Sequence, residues 1–258
     1  MPHQLVTIAF SHFCEKARWA LDRHAVDYEE HATLPFIHMW AVARHTRGRG
    51  GRADRASSPL STPFLRTVDG AFLHDSTDIL KWVDTHFADG SLYPNNEVEA
   101  LEREWGRQLG PDTRRIAYAW LLPTPALSIE MAERNVSRAQ TRLYRALRPV
   151  MVRGLVSRMK ITPERTARSL DRSRETADAV AARLSDGRPY LTGDTFTAAD
   201  LTFASLMAPL VKPDTYGAWM PPVHAMPPEA REVIGEMRQH PAGEFVQRMF
   251  AEHRPQTR

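Results

Sequence analysis

Residues 10–21 read FSHFCEKARWAL, which puts a serine, a histidine and the chain's single cysteine within four positions, where a β-rich run gives way to helical spacing. Side chains of this kind handle nucleophiles. The reactive form of sulfur is the thiolate, and a thiol of pKa about 8.5 needs about 2.7 kcal/mol of differential stabilisation to fall by two units. A hydroxyl donor combined with a helix N-terminus supplies energy of that order. Ser11 is therefore a candidate thiolate stabiliser. Cys14, in the first helical turn, is either a low-pKa thiol, if exposed, or a buried hydrophobe. With one cysteine, dithiol exchange within the chain is excluded. His12 reads as a surface residue, and Lys16 and Arg18 as solvated charges.

Two further spots have the right types for ligand work. Asp75 and Ser76 precede the apolar run TDILKWV, so Ser76 reads as the helix cap, leaving N–H groups free for an anion while Asp75 suits a cation. Pro63, in STPFL, reads on its own as a strand-opening proline, with a cis bond accessible only because proline follows. Trp105, Tyr118, Trp120, Trp219 and Met220 read as core, with an apolar pocket as the competing reading. No Cys/His cluster has metal-ligand spacing, and neither a phosphate-cradling glycine loop nor a Ser-His-Asp arrangement is apparent.

The elements that must position these residues follow from periodicity. HQLVTIAF and AVDYEEHAT read as strands, EKARWALDRH as a helix and PFIHMWAVARH as a helix entered through Pro35. TPFLRTV and AFLHD are strands joined by Asp-Gly, a hairpin signal, and STDILKWVDTHF is a helix. The order β-α-β-α-β-β-α implies a small mixed sheet with helices packed on it. ADGSLYPNNE reads as a linker. Beyond it, residues 96–120, 126–158, 163–185, 197–211 and 229–252 have helical composition, and 212–229 is a proline-rich surface segment. In DTFTAADLTFA, Thr197 and Asp200 form a capping box, the cap alone being worth ~1 kcal/mol.

The 258 residues, 42% hydrophobic and 25% charged, are of globular composition, with a formal net charge of +3. Five arginines against one aspartate in RHTRGRGGRADR (44–55) account for the excess. This glycine-rich stretch lacks interleaved aromatics and reads as a solvated loop rather than a nucleic-acid patch. No apolar run is long enough to span a membrane, and the N-terminus has no leader pattern, so a cytoplasmic protein is the expectation.

Taken together, SHFCEKARWAL, STPFLRTVDGAFLHDSTDIL and GDTFTAADLTFA resemble three segments of the glutathione S-transferase superfamily, in the family's order and spacing. The resemblance implies a thioredoxin-like α/β domain over 1–88, a linker over 89–95 and an all-α domain over 96–258. It further implies glutathione as co-substrate, with Ser11, or alternatively Cys14, facing the glutathione sulfur. Thr62–Pro63 would be cis, turning the Thr62 backbone towards the cysteinyl backbone of the peptide. Asp75 would hold its ammonium and Ser76 its γ-glutamyl carboxylate, and His45 and Arg47, by position, the glycine carboxylate. The implied reaction is conjugation of glutathione to a small apolar electrophile, without a metal and within a homodimer. A non-catalytic ligand- or glutathione-binding protein is one alternative, and a glutathione-dependent lyase, isomerase or dehalogenase another.

Overall fold

Strand alternation decides how the first sheet is covered. In the computed structural model, which describes residues 2–46, 59–88 and 91–255, strand β1 (His3–Ile8) buries Leu5 and Val6 completely. Successive side chains of a strand face opposite ways. Leu5 accordingly joins a core with Ala17, Leu65 and Ile79, whereas Val6 joins Val42 and Phe64. Helices α1 (His12–Arg23) and α3 (Ser76–Phe87) therefore cover one face, and α2 (Ile37–Thr46) the other. Strand β2 (Tyr28–Thr33) pairs parallel to β1, and β3 (Phe64–Arg66) and β4 (Phe72–Leu73) follow antiparallel, in the order β2-β1-β3-β4. This is the mixed sheet expected from the order of elements. Pro35 does not open α2. Phe36 intervenes with φ 68° and the helix begins at Ile37.

The remainder is helical: α4 (Asn96–Arg107), α5 (Leu109–Leu121), α6 (Pro125–Asn135), α7 (Arg138–Met159), α8 (Pro163–Leu184), α9 (Ala198–Val211), α10 (Pro228–Gln239) and α11 (Pro241–His253). Every residue of α9 is buried, as befits a helix apolar on all sides and surrounded by other helices. Its start is the expected capping box. The Thr197 N–H and hydroxyl donate to Asp200 Oδ2 at 2.7 and 2.9 Å, and Asp200 Oδ1 accepts from the Leu191 N–H at 2.8 Å. The stretches 96–120 and 126–158 each prove to be two helices. Gln108 (ψ −65°) separates α4 from α5, and extended Val136 with the Ser137 cap separates α6 from α7. Gly110 and Pro111 stand in the first turn of α5, whereas the α6–α7 break carries neither glycine nor proline, so composition alone passes through it. No described helix is long and apolar enough to cross a membrane.

The sheet domain meets the helices through α1. A Cβ at Gly110 would lie 2.3 Å from Phe13 Cζ, so the close approach of α1 to α5 depends on glycine. Beside it, His12 Nε2 lies 2.9 Å from the Gly110 carbonyl oxygen. His12 is only 3% exposed and not the surface residue its sequence context implied. Burial, helped by nearby Arg114, pushes its pKa down to about 3. Between that value and the unfolded value of about 6.5, the unfolded chain binds a proton that the folded chain refuses, so stability rises with pH across this window. His12→Gln is expected to flatten the urea-derived stability profile by up to about 1.4 kcal/mol per pH unit there. An unchanged slope would show that His12 is not held neutral.

Lys16 and Arg18 are likewise buried rather than solvated. Lys16 pairs with Glu102 of α4, which also accepts from Thr77 Oγ1 at 2.6 Å and so ties α1 and the start of α3 to the helical domain. Arg18 donates to Glu15 (3.1 Å), Glu30 (2.7 Å) and the Ala9 carbonyl (2.7 Å). Glu15 in turn accepts from Arg254 at 2.7 Å and from the Gly217 N–H at 3.1 Å, bringing the end of α11 and the proline-rich segment onto α1. That segment is thus anchored, not merely a surface excursion.

Candidate functional site

Ser11 stands between β1 and α1. Its N–H donates to the Ile8 carbonyl at 2.9 Å and its own carbonyl accepts from Glu15 N–H at 2.8 Å. It is the N-cap residue of α1 in extended geometry (φ −73°, ψ 128°), yet its side chain makes no capping hydrogen bond. The hydroxyl, which also hydrogen-bonds towards Cys14, is free of capping duty beside the positive end of a twelve-residue helix. Ser11 lines a cavity of about 210 Å³. Cys14 does not: it is 0% exposed, and burial pushes its thiol up to about 11, against weaker opposing pulls from Arg18, Ile8 and Ser11. A thiol so placed stays protonated at neutral pH, and of the two residues Ser11 is the one that lines the cavity.

Thr62 lines the same cavity, and the Thr62–Pro63 peptide bond is cis. Ser61 Oγ donates to the His74 carbonyl at 3.0 Å, joining this loop to the turn that opens α3. There Asp75, not Ser76, is the cap: its Oδ1 accepts from the N–H groups of Thr77 (2.7 Å) and Asp78 (3.0 Å). An aspartate before the serine takes the cap because its carboxylate reaches back over two N–H groups at once. Ser76 is the first helical residue and is buried. Neither Asp75 nor Ser76 belongs to the cavity wall, though the Ser61 bond places their turn next to it. His45 faces elsewhere, its ring tilted 44° against that of His31 at 4.7 Å in a separate depression with Gln4 and Gln140. Arg47 lies outside the described residues.

The rest of the cavity wall comes from α5 (Arg114, Tyr118), α7 (Leu155, Arg158) and the turn before α2. There Phe36 holds a left-handed backbone, uncommon for a bulky residue and of a kind that clusters at ligand sites. Burial raises the Tyr118 phenol above its ordinary value, so it stays a neutral donor. Of the other aromatic candidates, Trp105 and Trp120 are core, whereas Met220 reaches the cavity. Its neighbour Trp219 is pinned to α6 by a reciprocal pair of 2.9 Å hydrogen bonds with Asn135. Phe36, His38, Arg114 and Arg158 were not singled out by sequence reasoning. They sit on three elements, and no local spacing links them.

A model of the glutathione S-transferase N-terminal domain matches residues 5–91, and one of the glutathione S-transferase C-terminal domain matches residues 163–227. The chain belongs to the glutathione S-transferase superfamily. Solved transferases share its fold. Glutathione transferase GSTFuA3 from Phanerochaete chrysosporium is 17% identical, with a TM-score of 0.64 over 97% of this chain and 96% of that one. A glutathione S-transferase of Ceriporiopsis subvermispora in complex with glutathione is 16% identical, with a TM-score of 0.61 over 97% and 96% of the two chains. A transferase from Methylobacillus flagellatus with glutathione bound is 13% identical, with a TM-score of 0.56 over 97% and 95%. No curated protein matches the chain.

The two matched transferase segments leave residues 92–162 between them. That interval contains α5 and the α6–α7 hairpin, and so supplies Arg114, Tyr118, Leu155 and Arg158 to the cavity. The family segments thus carry Ser11 and Thr62, while much of the opposite wall lies outside them.

Proposed function

We propose that the protein activates the thiol of glutathione and adds it to a small, largely apolar electrophile held in the cavity beside Ser11. The observation that carries this reading is the shared cavity: a serine hydroxyl free of capping duty and the cis Thr62 backbone line one space, at the N-terminus of α1. In the proposed mechanism glutathione supplies the sulfur nucleophile. The Ser11 hydroxyl donates to the thiolate, and the first-turn N–H groups of α1 add the field of the helix end. The thiol proton leaves to solvent, because His12 is buried against Gly110 and Cys14 is closed off. The Thr62 N–H and C=O pair with the cysteinyl backbone in the manner of an added strand. At α3, Asp75 retains a carboxylate oxygen for the ammonium, and the Ser76 hydroxyl with its own N–H suits the γ-glutamyl carboxylate, the Thr77 and Asp78 N–H groups being taken by Asp75. Sulfur then forms a bond to the electrophilic carbon while a leaving group, or the electron pair of an activated double bond, is displaced.

Calorimetric titration with reduced glutathione is expected to give a dissociation constant in the micromolar to low millimolar range, weakened about 10-fold by Ser76→Ala, as for loss of one hydrogen bond to a charged group. Absence of glutathione binding would remove the transferase reading. The proposal extends to a cytoplasmic homodimer on the family's resemblance, and sedimentation at two concentrations would test the dimer.

A further inference from the structure

The cavity has a charge asymmetry that the transferase reaction itself does not require. Among the described residues its charged lining groups are Arg114 and Arg158, accompanied by His12 and His38, with no aspartate or glutamate. Among the described residues neither arginine has a carboxylate within ion-pair distance. Asp112, on the same helix as Arg114, is already committed to Arg115 (3.0 Å) and Arg172 (2.5 Å). Arg114 is half-buried, its guanidinium 5.7 Å from the Phe13 ring centroid, and burial lowers its pKa with Arg115 and Arg158 adding to the effect. The only opposing influence on it is Tyr118, whose phenol stays neutral.

Arg114 is only half-buried and Arg158 is exposed, so both guanidinium groups keep contact with solvent while lining the cavity, where an anion that enters can accept from them. Among the described residues Arg114 has no carboxylate partner, and Arg158 joins it from α7, whose end is fixed by the helix that carries Arg114: Arg115 Nε donates to the Met159 carbonyl at 3.1 Å. Leu155, Met131 and Phe36 line the same cavity and suit an apolar body. We propose that the electrophilic substrate is an apolar carboxylate, its anionic group held by Arg114 and Arg158 while its apolar part fills the cavity. This rests on the transferase reading for the word substrate, but the anion site stands on the cavity alone. Both arginines lie outside the segments matched by the family's domain models, so the preference belongs to this chain's own helices.

The test uses the full chain without glutathione and a matched pair of probes, phenylacetate and its neutral amide phenylacetamide, titrated calorimetrically. The acid is expected to bind about 10-fold or more tighter than the amide, the order of one charge-assisted hydrogen bond. Its advantage should shrink as salt rises. Arg114→Met combined with Arg158→Met should bring the acid to parity with the amide while leaving amide affinity unchanged, which also reports that the cavity is still folded. Arg114→Lys should retain part of the preference. Equal affinities for the two probes in the unaltered protein would overturn the proposal, as would a preference that survives in the double variant. Glutathione titrated in parallel separates the two readings. If it fails to bind while the acid preference holds, the transferase reading falls and the anion site stands. If the double variant loses glutathione affinity and the unaltered protein shows no acid preference, the arginines serve the peptide and the proposal falls.

Discussion

Ser11→Ala is expected to lower kcat/KM for glutathione conjugation by about 10- to 100-fold, the loss of one hydrogen bond to a charged group, while glutathione affinity holds. The serine hydroxyl is free of capping duty and lines the cavity with Thr62, so its removal takes away a donor at the cavity together with its hydrogen bond to the buried Cys14 thiol. Backbone geometry should persist, because Ser11 is anchored by its N–H to Ile8 and its carbonyl to Glu15. The pH profile gives the diagnostic. Losing a donor to an anion raises the pKa of the bound thiol, so the alkaline-rising limb of kcat/KM should move to higher pH in the variant. Stopped assays with chlorodinitrobenzene and a panel of carboxylate-bearing electrophiles read both quantities. If kcat/KM and the position of the limb are both unchanged, Ser11 has no part in handling the thiolate.

The largest stability effect is expected at Glu15→Gln. The Glu15 carboxylate is 0% exposed and receives Arg18, Arg254 and the Gly217 N–H. Neutralising it leaves two buried guanidinium groups sharing only Glu30 and Asp22, and breaking a buried pair in this way costs about 3–5 kcal/mol. For a chain of this size that is a fall in Tm of roughly 6–20 °C. Burial works against ionisation, but Arg254 and Arg18 together hold the Glu15 carboxyl below its ordinary value. Its stabilising contribution is therefore complete above the unfolded carboxylate range and is lost as pH falls through the lower folded value. The wild type should lose its advantage over the variant as acid is added. Gly217 packs so close to this cluster that a Cβ would lie 2.5 Å from Glu15 Oε2, so the same ions also seat the proline-rich segment. Glu252→Gln, which removes exposed contacts with Arg248 (3.5 Å) and His253 (3.7 Å), should melt close to the wild type. A Glu15→Gln protein that also does so would mean that the segment is held by packing alone.

Much of the architecture was legible without coordinates because it rests on local signals. Period-two and helical spacing gave the β-α-β-α-β-β-α order, Asp-Gly marked the hairpin, and Phe196-Thr197-Ala198-Ala199-Asp200 announced the start of the most buried helix. Ser11 was recognisable by its place between a strand and a helix. What was misread shares one cause. Lys16, Arg18 and His12 have exposed-residue chemistry, and their burial depends on partners 86, 239 and 98 residues away or anchored by such partners: Glu102 for Lys16, Arg254 through Glu15 for Arg18, and Gly110 for His12.

The same distance in sequence hid the far wall of the cavity. Arg114 and Arg158 are ordinary charged positions on two separate helices until the α6–α7 hairpin folds back and brings them to one space. Likewise, only the tertiary structure shows that Ser11 lines the cavity while Cys14 is buried, since both stand in the same turn and differ in which side of it the core covers. Periodicity reports the face a residue turns towards its own element's neighbours. It carries no information about which distant charge will meet it there, and that meeting determines both the buried ion cluster on α1 and the cationic cavity beside Ser11.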